Sequence, residues 1–445
     1  MDSKTAAKAG ARLGGLRFAP SVRWCSLAIA LLLQSPLTQA TNGLNLIGFG
    51  PESNLMAGAD TAVARDTGAF NTNPAGLAQI QGHALDVYGA VARALDVGHR
   101  DQFGNDVNIS NHYIGVGSFG YATRLAALPC TIGAGVFGQG GAGNVYRNLN
   151  TAFGTRDHLS SLFRIAKISP GFGCQLNKTW SVGASAGIAY ADMHQKVFPK
   201  TSFFNSANPA QSFFGYELKS ASALGTGFKL GAMAKLTERI TLALAYASKI
   251  DLPLDGGHLR ANMGAAGLGL VTYRDTRIDG LAIAREIDTG AAWQATDNLL
   301  LAVKVAWLDW SGALRGSTLR ATRPDNPVAP PVLAQTARLD WKDQWVYAFG
   351  LDYTLSPKTH LLAGYNYGAN PIPAATTTPL LAAIGQHHFV CGFRHQLSDR
   401  WALNGGIEYD LGEAVQYTNP ELPFGVRAQE RSEALIAEFA LSRRW

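Results

Sequence analysis

From about residue 83 onward, apolar and small or polar residues take turns along the chain. In "WSVGASAGIAY" (180–190), Trp180, Val182, Ala184, Ala186, Ile188 and Tyr190 share one face, while Ser181, Gly183, Ser185 and Gly187 share the other. In "WVYAFGLDYTL" (345–355), Trp345, Tyr347, Phe349, Leu351, Tyr353 and Leu355 oppose Ala348, Gly350, Asp352 and Thr354. A period of two marks strands with one face in an apolar medium. Aromatic residues stand at both ends of these apolar faces. Soluble sandwiches seldom show that, whereas a lipid-facing band with interfacial girdles requires it.

Fourteen windows follow the pattern, near 84–92, 112–122, 131–139, 162–175, 180–190, 222–236, 240–249, 285–295, 299–309, 344–355, 359–368, 387–397, 401–411 and 431–445. The fourth and eighth alternate poorly, so periodicity alone supports twelve to fourteen strands. The connectors add independent support by alternating in length. "LNKT" (176–179), "TER" (237–239), "TDN" (296–298), "SPK" (356–358) and "SD" (398–399) are tight turns. Long segments lie between them, near 191–221, 250–284, 310–343, 369–386 and 412–430. Short periplasmic turns and long external loops are the outer-membrane pattern. An even strand number closes an antiparallel barrel and leaves no unpaired edge in lipid. The expected fold is therefore all-β, a transmembrane antiparallel barrel of about fourteen strands over residues 83–445. Its last strand, "EALIAEFALSRRW" (433–445), puts Leu435, Ala437, Phe439 and Leu441 on the lipid face. Arg443 interrupts that face near its end, where a long side chain reaches the interface at small cost.

Composition agrees. Charged residues are 16% of the 445-residue chain, below the roughly 25% of soluble domains, while Gly numbers 49 and aromatics reach 10%. Past residue 40 no apolar run approaches the roughly 20 residues of a membrane helix. Residues 1–40 read as an export signal: Lys4, Lys8, Arg12, Arg17 and Arg23, then "CSLAIALLL" (25–33), then "TQA" (38–40). Its removal near Ala40 takes five positive charges and one negative, leaving +2 of the formal +6, so no nucleic-acid partner is expected. Cys130, Cys174 and Cys391 would then remain, spaced for neither a metal cluster nor a disulfide framework, with a single disulfide left open.

Lys235, Lys304, Asp352, Arg394, Glu408 and Glu438 fall on the face opposite the apolar stripe and should point inward. A lumen this wide holds water unless something fills it. The candidate filler is residues 41–82, a small-residue segment that alternates poorly and includes "DTGAFNTNPAGLAQ" (66–79). It reads as an N-terminal plug, with Pro74 fixing a turn and Asn73 held out of the helical region before it.

The stretch "GLNLIGFGPESNLMAGADTAVARDTGAFNTNPAGLAQI" (43–80) resembles the N-terminal hatch of the FadL/TodX family, outer-membrane transporters of long-chain fatty acids and hydrocarbons. The matching positions are Ala64 to Asp66 and Asn73, Pro74 and Ala75. Similar stretches are "AWLDWSG" (306–312), "DQWVYAFGLDYTLSPKTHLLAGYNYGANPIP" (343–373) and "HHFVCGFRHQLSDRWALNGGIEY" (387–409), while Trp445 departs from the usual terminal Phe. The resemblance implies a fourteen-stranded barrel plugged by the hatch, an apolar ligand captured outside and sideways release at a kinked third strand. Here that strand is "TIGAGVFGQGGAGN" (131–144), and Gly138, Gly140, Gly141 and Gly143 are the expected gap, since glycine inside a strand marks a bend. Glycines that merely pack on the hatch are the alternative.

Capture residues should be apolar and near the outer rim. Phe203, Phe204, Phe213 and Phe214 form two aromatic pairs in one long loop, and Leu254, Leu259 and Met263 lie in the next. Loop self-packing is an equal alternative. Lys304, Lys235 and Arg394 are candidate counter-charges for a carboxylate-bearing ligand, unless paired within the lumen. Expected partners are the hydrophobic substrate, membrane lipid and lipopolysaccharide, and the barrel-assembly machinery through the last strand. No cofactor is expected, and no metal either: adjacent His387 and His388 could suggest one, but they point to opposite faces of a strand. Gly138, Gly140 and Gly143 spell G-x-G-x-x-G, but "NVYRNLNTAFGTR" supplies no helix for a dinucleotide site. Two rival functions stand beside transport of apolar compounds: a general diffusion porin, which needs an open lumen, and an outer-membrane lipid hydrolase, for which no Ser/His spacing stands out.

Overall fold

The computed structural model describes residues 42–445; the export signal and its cleavage site lie outside the described residues. Fourteen long strands form the wall. They are β1 (His83–Ala94), β2 (Tyr113–Arg124), β3 (Cys130–Asn150), β4 (Arg156–Gln175), β5 (Trp180–Phe203), β6 (Phe213–Lys235) and β7 (Ile240–Ala247). Then follow β8 (Glu286–Thr296), β9 (Leu299–Leu308), β10 (Gln344–Ser356), β11 (Thr359–Gly368), β12 (His387–Gln396), β13 (Trp401–Tyr417) and β14 (Ala428–Arg444). Each pairs antiparallel with the next, and β1 pairs with β14 from Ala84↔Arg444 to Ala94↔Ala434, which closes the ring. All fourteen alternating windows are strands, the two poor ones included. Closure is what lipid demands, because it leaves no backbone edge to desolvate.

The alternation sets the two faces. Val87, Ile188, Phe228, Leu244, Val303, Phe349, Ile407 and Phe439 are exposed outward, where lipid covers them. Arg443 lies over the rings of Trp401 and Trp445, 5.2 and 4.5 Å from their centroids, so its charge is held in the aromatic girdle.

Several segments expected to be loops are strands instead. β5 has 24 residues and β6 has 23, about twice the 9–11 needed to cross a bilayer, so most of 191–221 is a hairpin rising above the membrane. Outside the bilayer, Leu254–Met263 pairs with the outer half of β6 and with Gly269–Asp279, and the latter pairs with Gly316–Pro324. Backbone groups lifted out of lipid still pair, so the sheet continues into the external domain. Cys130 and Cys174 face each other across β3 and β4 and form a disulfide, while Cys391 is free and exposed. An exported chain meets the oxidising compartment that such a bond needs.

Residues 42–82 lie within the ring and are almost wholly buried. Their short turns are capped by their own side chains. Asp66 accepts from the Gly68 amide at 2.7 Å, and Asn73 accepts from Ala75 at 3.1 Å while donating to the Thr61 carbonyl at 2.8 Å. The wall receives this turn on glycine. A Cβ at Gly183 would collide with the backbone of Pro74 and Ala75, and one at Gly231 with the Asn73 side chain. The small-residue face of β5 is thus the seat of the Asn-Pro-Ala turn. Gly183→Val should unseat it and destabilise the barrel by about 1–3 kcal/mol, the usual range for overpacking. The check is a lower temperature of heat-modified mobility on gels, beside a lipid-facing control such as Ile188→Val.

Candidate functional site

Two cavities, the outer one lined by both apolar and polar side chains including Arg338, and one break in the strand pairing of the wall define the site. The outer cavity lies between the external hairpins and has a volume of about 130 Å³. Phe163 and Met193 reach it from β4 and β5; Ile278, Leu281, Leu319, Leu380, Leu381 and Leu422 reach it from the loops. The inner cavity lies beside the hatch. Leu46 and Ile47 form one wall, and Ala90, Ala92, Ile114, Val116, Ala434 and Ile436 form the others. Tyr88, Asn54, Glu408 and Asp410 make its polar end.

The break is between β2 and β3. Their pairing runs from Arg124↔Thr131 to Ser118↔Phe137 and stops there, although both strands continue. Beyond Phe137, β3 turns inward. Gly140 has φ +149° and Gly141 φ +141°, values that favour glycine. Gly140 bridges to Asn45 of the hatch, and the Gly141 amide donates to the Leu44 carbonyl at 3.1 Å. The wall closes again above: Ser110 donates to the Val145 carbonyl at 2.8 Å, and Asn111 bonds both Gly143 and Val145. Between these points Ile114 and Val116 keep no strand partner on the β3 side, and Leu162 of β4 packs near Ile114. Of the four glycines expected at a gap, Gly140 and Gly141 make the turn, Gly138 precedes it and Gly143 lies at its upper limit. Packing on the hatch and loss of strand pairing are one event here rather than alternatives.

The other candidate residues lie elsewhere. Phe203 and Phe213 are cross-strand partners that stack on Phe153 at 5.6 and 4.8 Å, and Phe204 stacks on Phe214 at 6.5 Å. Leu254, Leu259 and Met263 are buried in the core of the external domain. None of these seven lines the outer cavity; the loop pairs with itself, since long hairpins must cover their own apolar face. Lys304 binds Asp60 of the hatch at 3.4 Å, and Arg394 binds Glu52 of the hatch at 2.9 Å. Lys235 sits at the end of β6 and pairs with exposed Glu238. No cavity-facing counter-charge comes from these three. The outer-cavity leucines had one readable signal, the Leu380-Leu381 pair that follows three threonines in "AATTTPLLAAIG" (374–385).

A family model described as outer membrane protein transport protein (OMPP1/FadL/TodX) matches residues 50–416. The chain belongs to this family. Solved family structures share the fold at low identity. The Pseudomonas putida toluene transporter TodX is 19% identical, with 90% of this chain and 99% of that chain covered and a TM-score of 0.73. The Ralstonia pickettii toluene transporter TbuX is 17% identical over 90% and 99% (TM-score 0.69), and a Pseudomonas aeruginosa FadL homologue 16% over 90% and 99% (TM-score 0.70). No curated protein sequence matches this chain. As a member of the family, it is an outer-membrane transport protein.

Above the inner cavity, this family member has a charged roof. His99, in the external hairpin of Gly98–Arg100 with Asp106–Asn108, is fully buried. Its ring contacts Glu430 at 2.5 Å and Asp101 at 3.2 Å, and Glu430 also accepts from Tyr146 and Tyr417. Burial opposes charge on the ring, but Glu430 and Asp101 outweigh it and raise its pKa from 6.5 to about 9. A raised value means that the stabilisation is complete below pH 6.5 and is lost as pH climbs through about 9. Hydrogen-exchange protection factors across residues 97–109 should therefore be flat below that window and fall through it. His99→Gln should remove the pH dependence.

Proposed function

We propose that this protein carries hydrophobic compounds across the outer membrane by a sideways route. The guest is captured in the outer cavity, passes to the inner cavity against the hatch and leaves through the β2–β3 opening into lipid. The observation that carries this reading is the end of β2–β3 pairing beyond Phe137, beside an apolar cavity lined by Ile114 and Val116. A wall in lipid keeps its hydrogen bonds unless a break serves something, and here the hatch supplies replacement partners to the bent strand. A straight aqueous path suits the family fold less well, because the buried hatch occupies the bore. That weighs against a diffusion porin.

The lining also bears on the guest. No lysine or arginine lines the inner cavity, and its polar end is Glu408 and Asp410. A lining that is mostly alkyl favours an uncharged hydrocarbon, the class named for the toluene transporters of the same fold. Lipopolysaccharide around the external hairpins and the assembly machinery at β14 complete the proposed partners.

Gly140→Val places a branched side chain at φ +149° against the Leu44 carbonyl. Uptake of radiolabelled toluene by cells bearing this variant should fall several-fold, with normal amounts of folded barrel in the membrane. Normal uptake would rule out the side exit. Deleting residues 42–75 should turn the protein into a conducting pore in planar bilayers. Conductance equal to that of the intact protein would show that the segment does not block the bore.

A further inference from the structure

Charged side chains gather in three places inside the barrel. In two of them carboxylates face arginine or lysine: Glu52, Asp352 and Asp86 with Arg65, Arg394 and Arg444, and Asp60, Glu286 and Asp288 with Lys229 and Lys304. The third, above the hatch, differs. Glu408, Asp410 and Glu438 come together there, and among the described residues no lysine or arginine pairs with any of them. Their one basic neighbour is His388. Three carboxylates and an imidazole, all at most 6% exposed, are short of positive charge.

The geometry is that of a ligand set. His388 and Asp410 are directly opposed in the β12–β13 register, and Glu408 lies two residues along on the same inward face. The His388 Nδ1 atom is 2.6 Å from an Asp410 oxygen and 3.8 Å from a Glu408 oxygen, and the three donor atoms fall within 4.8 Å of one another. Glu438 sets its carboxyl group against Glu408, with the Tyr88 hydroxyl beside it and no lysine or arginine among the described residues paired to it. His388 Nε2 is buried without a partner. His387, the neighbour in sequence, takes no part; the ligands arrive from the next strand.

We infer that His388, Glu408 and Asp410 bind a divalent transition-metal ion of the zinc class, with Glu438 as an adjoining carboxylate. A mixed imidazole and carboxylate set suits that class. A hard cation such as calcium takes six to eight oxygens, and an imidazole in the set works against it. The ion supplies the positive charge that the cluster lacks. Three protein ligands leave a coordination position open, and Glu408 and Asp410 also line the inner cavity, so that position faces the guest space. The inference is independent of the transport route.

The test uses the full chain purified in detergent, stripped with EDTA, equilibrated with Zn²⁺ or Co²⁺ and desalted. Plasma emission should find one ion per folded chain, and the Co²⁺ form should show visible absorption unlike that of the aqueous ion. Glu408→Gln with Asp410→Asn should abolish both while heat-modified mobility stays that of a folded barrel. Stripped protein that takes up no ion overturns the inference, and so does a folded variant that still binds one. If the double variant fails to fold, the native Co²⁺ spectrum decides: an aqueous-type spectrum overturns the site, a ligated one supports it.

Discussion

The constraint beneath this structure is that backbone amides and carbonyls in hydrocarbon must be paired, at several kcal/mol for each one left bare. The closed ring answers it along the wall, and the pairing between β2 and β3 ends beyond Phe137. There β3 abandons its neighbour, and hydrogen bonds come from two other sources. Below, Leu44 and Asn45 of the hatch take the place of β2 for Gly140 and Gly141. Above, Asn111 reaches over to Gly143 and Val145. The break in pairing and the hatch are therefore parts of one solution, since on its β2 side the bend takes its partners from the segment behind it.

The same coupling appears in the charges. Inward lysines and arginines on the wall would be expensive in a narrow, partly dry lumen. Glu52 and Asp60 of the hatch bring counter-charges to Arg394 and Lys304, and Arg65 returns the favour to Asp352. For the pair buried on both sides, Lys304 with Asp60, removing one partner generally costs about 3–5 kcal/mol, more than the pair itself contributes; the half-exposed Arg65 and Arg394 pairs are screened by solvent, so the pairs fix the hatch's position better than they add stability. Wall glycines complete the fit by leaving room for the Asn-Pro-Ala turn.

Strand positions were legible because lipid and lumen impose opposite chemistries on alternate residues, a signal carried within each strand. The hatch motif was legible too, through Asp66 and Asn73, whose capping bonds are local. The ligand surface was not. Phe203, Phe204, Phe213 and Phe214 looked like a binding patch because exposed aromatics are costly; they stack on each other and on Phe153, Phe203 and Phe204 stay 42% exposed, and the outer cavity is lined by other residues.

The sequence by itself determined the barrel class, a strand number of twelve to fourteen and the faces of each strand, and it pointed to the segment 41–82 for the lumen, because each depends on periodicity or on contacts a few residues apart. Only the tertiary structure decided which charges meet, where the outer cavity lies, that Cys130 joins Cys174 and that Glu408 and Asp410 flank His388. Those pairings follow from strand register and from how the external hairpins fold back. Register is a relation between strands, and no single strand's pattern contains it.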